Sequence, residues 1–440
     1  MNKNPTLSDK GRRLLLAGVC VFAAGSAFAV DVDSTFNASI GRSDNILRTD
    51  DNQVEESIAS VGVELDLSHD GPRFNADVYV NADYVDYLDD SFDSDLQGGA
   101  TAVANYWFLD ERLGWNLQYN FGQQVFDPLS PIRPDNRENV SYLTTGPQLE
   151  IPLGPRFELT ANVEFSDTTY EINPNDQQRF GGRLSIGRLM GAGRTLSIVG
   201  SQERVEYDFN TNTPDFDRRD VFLRFESANT RGSFTFDVGV NELELDGIDQ
   251  KSDGTLVRLD WTRIMSEGVE LTIGAGSRYS DQGDIFRFFQ NAAFDLRETE
   301  DVGGVQTPFR NNFGSLIFNL DKARTRIDFV ALYSDEDYEI DSTADRLVKQ
   351  LNFLISRDFT RKFFGEFGIN ASEREFVATN RDDRDIQYTV ALGFRFNEAF
   401  STSLSYQLFN RDSNQGLTEF DENRIFLRFS YVPRWSRQQP

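Results

Sequence analysis

The sequence predicts an all-β chain, a transmembrane antiparallel up-and-down β-barrel of about 20 strands (18–22). Three observations predict it. Apolar and polar residues alternate with a period of two over repeated segments. Tight turns recur about every 38 residues, with longer polar connections between them. The composition is 39% hydrophobic and 13% aromatic, too aromatic for a disordered acidic chain and suited to a wall in which only alternate residues meet lipid.

The first 29 residues read as a secretory signal peptide. Lys3, Lys10, Arg12 and Arg13 form a basic start, Leu14 to Ala24 a short apolar run, and Ala27-Phe28-Ala29 a small-x-small cleavage site. The run is too short for a membrane anchor. Val19 precedes Cys20 where a lipidated cysteine needs a small residue, so no lipid anchor is expected. Cleavage after Ala29 removes the chain's one Cys, and with it any disulfide or thiol chemistry. It also removes a net charge of +3, taking the chain from −27 to −30. Such a chain does not bind nucleic acid through its net charge. Residues 30–432 are expected to form the barrel and 433–440 a periplasmic tail.

The strands follow from alternation. In 73–87, Phe74, Ala76, Val78, Val80, Ala82 and Tyr84 share one parity, and Asn75, Asp77, Asn81 and Asp83 the other. Residues 113–121, 157–165, 388–396 and 425–431 repeat the pattern. None shows the 3.6 period of a helix. Tight turns fall near 71, 110, 154, 192, 230, 266, 322, 360 and 398. Longer connections fall at 43–56, 88–93, 127–138, 171–178, 207–219, 246–254, 281–309, 335–345, 375–385 and 411–422. Nine turns and ten loops give 20 strands with both termini on the short-turn side, as bacterial outer-membrane barrels have. The weakest strands by pattern lie near 195–206 and 309–321.

Aromatics cluster near strand ends. Phe74, Phe108, Trp115, Phe157, Phe234, Trp261, Phe363, Phe396, Phe400 and Tyr431 flank the tight turns. Tyr84, Phe121, Phe165, Tyr279, Tyr333 and Tyr406 lie toward the long loops. Both sets are expected to form interface girdles against outer-membrane lipid and lipopolysaccharide.

The opposite parity is charged and should face the lumen. Its pore-lining candidates are Asp77, Asp83, Arg183, Arg224, Arg258, Asp260, Arg326, Asp328 and Arg395. A 20-strand barrel needs water or a plug inside, and the few residues between the leader and the first strand leave no room for an N-terminal plug. The longest connection, 281–309, carries Phe286, Phe288, Phe289 and Phe294 among charges. Asp284, Arg287, Arg297 and Glu298 are its constriction candidates, with an outer cap as the other reading. Six of the 44 basic residues are Lys and the remaining 38 Arg. Interleaved Arg and carboxylates form rigid bidentate networks, and could also bind sugar hydroxyls or uronate carboxylates.

No enzyme is expected. The one His, His69, sits at a tight turn on the lipid-side parity, where it serves the interface rather than catalysis. Acid pairs such as Asp50-Asp51, Asp89-Asp90 and Asp382-Asp383 lack ligand spacing, so neither a metal site nor a cofactor is expected.

The opening strand and loop, Phe36-Asn37-Ala38-Ser39-Ile40-Gly41-Arg42-Ser43-Asp44-Asn45-Ile46, resembles the start of β-barrel porins found with exopolysaccharide and PEP-CTERM/exosortase loci, the EpsL-type barrels. Ser43-Asp44-Asn45-Ile46 carries the likeness. The resemblance implies a bacterial outer-membrane barrel with a link to polysaccharide export, and the chain itself reads as a monomeric channel for hydrophilic solutes. The alternative is a non-conducting structural barrel supporting polysaccharide or surface-protein assembly. It implies no catalytic residues. One departure concerns the barrel-assembly machinery. The chain runs on past Phe429 and Tyr431 to Pro433 and a polar tail, so recognition would use an internal signal ending near Tyr431, or a relaxed terminal rule.

Overall fold

A computed structural model describes residues 30–109, 112–174, 176–208, 213–247, 250–284, 307–415 and 418–433. The expected leader, 1–29, and the tail beyond Pro433 lie outside the described residues.

Twenty strands follow one another: β1 (Asp31–Ser43), β2 (Glu56–Asp70), β3 (Phe74–Tyr87), β4 (Asp95–Leu109), β5 (Leu113–Val125), β6 (Arg137–Pro152), β7 (Phe157–Tyr170), β8 (Gln177–Gly191), β9 (Arg194–Tyr207), β10 (Phe216–Asn229), β11 (Gly232–Leu245), β12 (Gln250–Ser266), β13 (Val269–Ser280), β14 (Phe309–Lys322), β15 (Thr325–Tyr338), β16 (Arg346–Asp358), β17 (Phe363–Phe376), β18 (Arg381–Arg395), β19 (Phe400–Ser413) and β20 (Phe420–Tyr431). Each pairs antiparallel with its sequence neighbours, and β1 closes onto β20 from Phe36↔Tyr431 to Ser43↔Arg424. Closure leaves no sheet edge in the bilayer, where an unpaired backbone group costs several kcal/mol.

All nine tight turns and ten longer connections fall where the alternation places them, and the two weakest patterns are full strands, β9 and β14. The strands run further toward the long-loop end than expected. The 375–385 connection shrinks to 377–380 and the 246–254 connection to 246–249, because neighbouring strands keep pairing through polar residues such as Glu375↔Asp382.

Apolar residues on the outer parity are exposed where lipid would lie, as at Ile40 (55%), Val61 (59%), Ile198 (62%) and Leu392 (64%). Phe108, Trp115, Phe157, Phe363, Phe396 and Phe400 are exposed beside the tight turns, and Tyr84, Phe165, Tyr333 and Tyr406 near the long loops. His69 stacks against Phe74 at 5.7 Å between ring centres.

Tyr279 departs from its expected girdle position. It is 4% exposed and packs with Val205, Tyr207, Phe216, Leu243 and Leu245. The cause is a break in the ladder. β12 and β13 pair only from Val257↔Ser277 downward. Above that level β12 pairs with β11 alone and β13 with β14 alone. The upper end of β13 turns into the lumen, so Tyr279's nominally outer face lies against the inner wall of β9–β11.

Within β6, Gly146-Pro147 interrupts pairing with β7, between Thr145↔Phe165 and Gln148↔Asn162. Proline has no N–H to donate, and a Cβ on Gly146 would sit 1.8 Å from the Val163 carbonyl oxygen. Gly146→Val should therefore lower stability by about 1–3 kcal/mol through overpacking, read as a lower urea midpoint for the refolded barrel. An unchanged midpoint would show that β6 and β7 can separate here freely.

Candidate functional site

The candidate site is the lumen together with the two elements that enter it from the long-loop end.

The first is the β5–β6 connection, 126–136. Its base is closed by Asn136, whose Oδ1 accepts from Asp127 N (2.8 Å) and whose Nδ2 donates to Asp127 O (2.9 Å) and Pro131 O (3.1 Å). Asp127 also accepts from Leu129 N and the Ser130 hydroxyl. Pro128, Pro131 and Pro134 stiffen the segment further. It reaches the opposite wall, six to eight strands away around the barrel. There Arg381 donates to Leu129 O (2.6 Å) and Arg411 to Ser130 O (3.3 Å), while Arg48, from the nearer β1–β2 connection, donates to Ile132 O. The segment is a strut across the mouth. Sequence reasoning missed it, since it holds few charges and its partners are up to 281 residues distant in the chain.

The arginines holding the strut are held in turn. Arg48 donates to Glu422 at 2.9 Å, both fully buried, and its guanidinium lies 4.5 Å from the centre of the Phe409 ring. Arg411 and Arg381 share the buried Asp383. The Ser43-Asp44-Asn45-Ile46 step gains a structural role here. Ser43 donates to Glu422 (2.5 Å), Asp44 accepts from Asn423 N and Nδ2 (2.7 Å each), and Asn45 Nδ2 donates to Thr49 O and Asp421 O. Ile46 packs with Ile58 and Tyr87. The step fastens the first loop to β20 and aims Arg48 at the strut.

The second element begins at the end of β13. Asp281, Gln282 and Asp284 are each at most 2% exposed. Arg179 binds Asp281 and, at 3.4 Å, Asp284. Arg218 donates to Asp284 (2.8 Å), Tyr279 O (3.1 Å) and Glu203 (2.5 Å). Burial holds the Asp281 carboxyl above its ordinary range, with Arg179 pulling the other way. Gln282 donates to the Tyr338 hydroxyl at 2.8 Å. Beside it, Phe309 and Tyr338 meet Val140, Tyr142 and Tyr170 of β6 and β7, seven to nine strands away. Opposite walls therefore touch at the mouth. Of the constriction candidates, Asp284 sits inside this cluster. Arg287, Arg297 and Glu298 lie outside the described residues.

All nine pore-lining candidates lie on the inner parity. Asp83 lines a cavity beneath Arg48 and Ile132. Asp237, fully buried, binds both Arg224 (2.8 Å) and Arg258. Arg326 donates to Asp328 (2.8 Å), and Arg395 to Asp358 (2.6 Å) while lying 4.5 Å from the Phe364 ring centre. Asp77 and Arg183 are exposed. Arg258 and Asp260 line a second cavity of about 250 Å³. Among the described residues no cluster of three His, Cys, Asp or Glu could hold a metal ion.

Residues 268–431 match the family model described as "Putative beta-barrel porin 2". No curated protein matches the chain. Solved structures that resemble it include the FrpB iron transporter from Neisseria meningitidis, F5-1 variant (7% identity, 92% of this chain and 82% of that chain, TM-score 0.43). OccK2 (OpdF) from Pseudomonas aeruginosa (10%, 91% and 98%, 0.37) and OccAB4 from Acinetobacter baumannii (10%, 92% and 99%, 0.36) are others. The fold is a closed twenty-strand antiparallel barrel, and its part from β13 to β20 matches a porin family model.

Removing Arg179 would leave Asp281 and Asp284 short of a buried partner, at a cost of about 3–5 kcal/mol. In a Cys20→Ser background, Gln282→Cys should react slowly with an externally added maleimide. Adding Arg179→Ala should raise that rate at least tenfold, roughly 1.4 kcal/mol of opening. Equal rates would show that hydrophobic packing alone holds the segment.

Proposed function

We propose that this protein is an outer-membrane channel for hydrophilic solutes, with extracellular polysaccharide as its cargo, and that its outer mouth is closed at rest. One observation carries the reading: twenty strands enclose an inner face lined by charged groups, some of them exposed, far wider than eight-strand barrels that fill with side chains. The polysaccharide cargo rests on the Ser43–Ile46 resemblance to exopolysaccharide-associated barrels.

A second reading is favoured by the strut and the Asp281–Asp284 cluster, which obstruct the mouth: a non-conducting barrel whose loops support surface assembly. Single-channel recording separates the two. The channel reading expects small or infrequent openings from the wild-type protein in a planar bilayer. It expects at least a severalfold rise in open probability for Arg179→Ala/Arg218→Ala. Added oligosaccharide should interrupt the current. A correctly folded double variant that stays silent would sink the channel reading and leave the structural one.

A further inference from the structure

The cavity beside the inturned end of β13 is built as well as open. β13 carries Gly274 and Gly276 on its inner face, between Arg258 and Asp260 of β12 and Phe313 and Ser315 of β14. A Cβ on Gly276 would lie 2.8 Å from the tip of the Phe313 ring, and one on Gly274 would lie 2.5 Å from the Ser315 hydroxyl. Gly276 lets the Phe313 ring lie over the β13 backbone, where a larger residue would push it into the lumen, and Gly274 makes room for Ser315. The guanidinium of Arg278 stands 5.9 Å from the centre of that ring. Arg258, Asn311 and Gln350 complete the polar rim.

The acids around this cavity are unequal. Asp284 binds Arg218 at 2.8 Å and Glu336 binds Arg346 at 2.7 Å, so both are neutralised by arginines beyond the cavity lining. Arg258 shares one carboxylate, Asp237, with Arg224. Asp260, 3.6 Å from Arg258, is the remaining acid of the lining. The lining thus brings together two guanidinium groups, those of Arg258 and Arg278, two side-chain amides and an apolar ring face. Guanidinium forks match planar carboxylates, and an aromatic face suits the C–H face of a ring. A volume of about 250 Å³ holds one sugar ring and falls below the range for drug-sized ligands.

We propose that this cavity binds a single carboxylated sugar unit, with Arg258 and Arg278 on the carboxylate and Phe313 under the ring. The site's role as a waypoint rests on the channel reading, but its occupancy does not. Calorimetric titration of the refolded barrel in detergent therefore tests it without any conductance, using D-galacturonate, with D-galactose as the uncharged counterpart. The expected result is saturable binding of galacturonate and a much weaker response to galactose. Arg278→Ala should weaken galacturonate binding by roughly ten- to a hundredfold, the loss of a charge-assisted hydrogen bond. Phe313→Ala should weaken both sugars, and Arg278→Lys should restore part of the loss. Each variant's fold is checked by its heat-dependent gel migration. The proposal is overturned by absence of galacturonate binding, by equal affinity for galactose, or by a folded Arg278→Ala barrel that binds as the wild type does. Galacturonate binding in a barrel that never conducts would sink the channel reading and leave the site standing.

Discussion

Every backbone N–H and C=O within the bilayer must find a partner inside the protein, and the whole molecule is arranged around that requirement. It forces the sheet to close, β1 against β20, and forces each strand into a strict inner and outer parity. Once the wall is closed, its size follows from the number of strands, and twenty strands enclose more space than their own side chains fill. The mouth is narrowed by chain that enters from above, in places where water and neighbouring side chains can satisfy the backbone. The break between β12 and β13 begins above Val257↔Ser277, toward the long-loop end, after about ten residues of ladder from the tight turn that hold one irregularity at Ile264–Ser266. That is the span a tilted strand needs to cross the hydrocarbon layer.

How much of this was legible in the sequence divides along the same line. Alternation is a local signal, so strand order, turn positions and inner parity could be read from segments such as 73–87, including weak cases such as β9 and β14. Contacts between loops and distant walls leave no local trace. The strut at 126–136 looks like an ordinary proline-rich loop, because the residues that recognise it, Arg48, Arg381 and Arg411, bind its carbonyl oxygens rather than its side chains. Tyr279 was misplaced for a related reason. Parity predicts a face, and the face of β13 changes its surroundings where the strand leaves β12. The paired glycines at 274 and 276 are visible as letters, but only the positions of Ser315 and Phe313 give them a purpose.

The preference for arginine over lysine has a local explanation at the mouth. Arg48 simultaneously serves Glu422, the Ile132 carbonyl and the face of Phe409. Arg218 serves Glu203, Asp284 and the Tyr279 carbonyl. A planar fork with five donors can do this, whereas an ammonium is a point charge that is more strongly hydrated. Such buried pairs contribute little net stability compared with apolar packing of the same volume. Their effect is selective. They penalise any arrangement in which one partner is withdrawn, and so fix where the strut and the end of β13 rest.

This selectivity also accounts for strands longer than the bilayer needs. Strands of 12 to 17 residues exceed the roughly 9–11 required to span. The surplus lies at the long-loop end, and the anchoring arginines occupy it. Arg179 and Arg218 are each the third residue of their strands, Arg381 is the first of β18, and Arg411 is third from the end of β19. Shorter strands would have put these positions in loops, where a guanidinium needs a separate fastening such as the one that holds Arg48. The extended wall supplies a rigid frame above the membrane, and the mouth is closed by side chains projecting inward from that frame. Closure and membrane crossing thus depend on different residues. Withdrawing Arg179 or Arg218 should therefore alter access to the lumen while the paired band within the bilayer, and with it the folded barrel, stays intact.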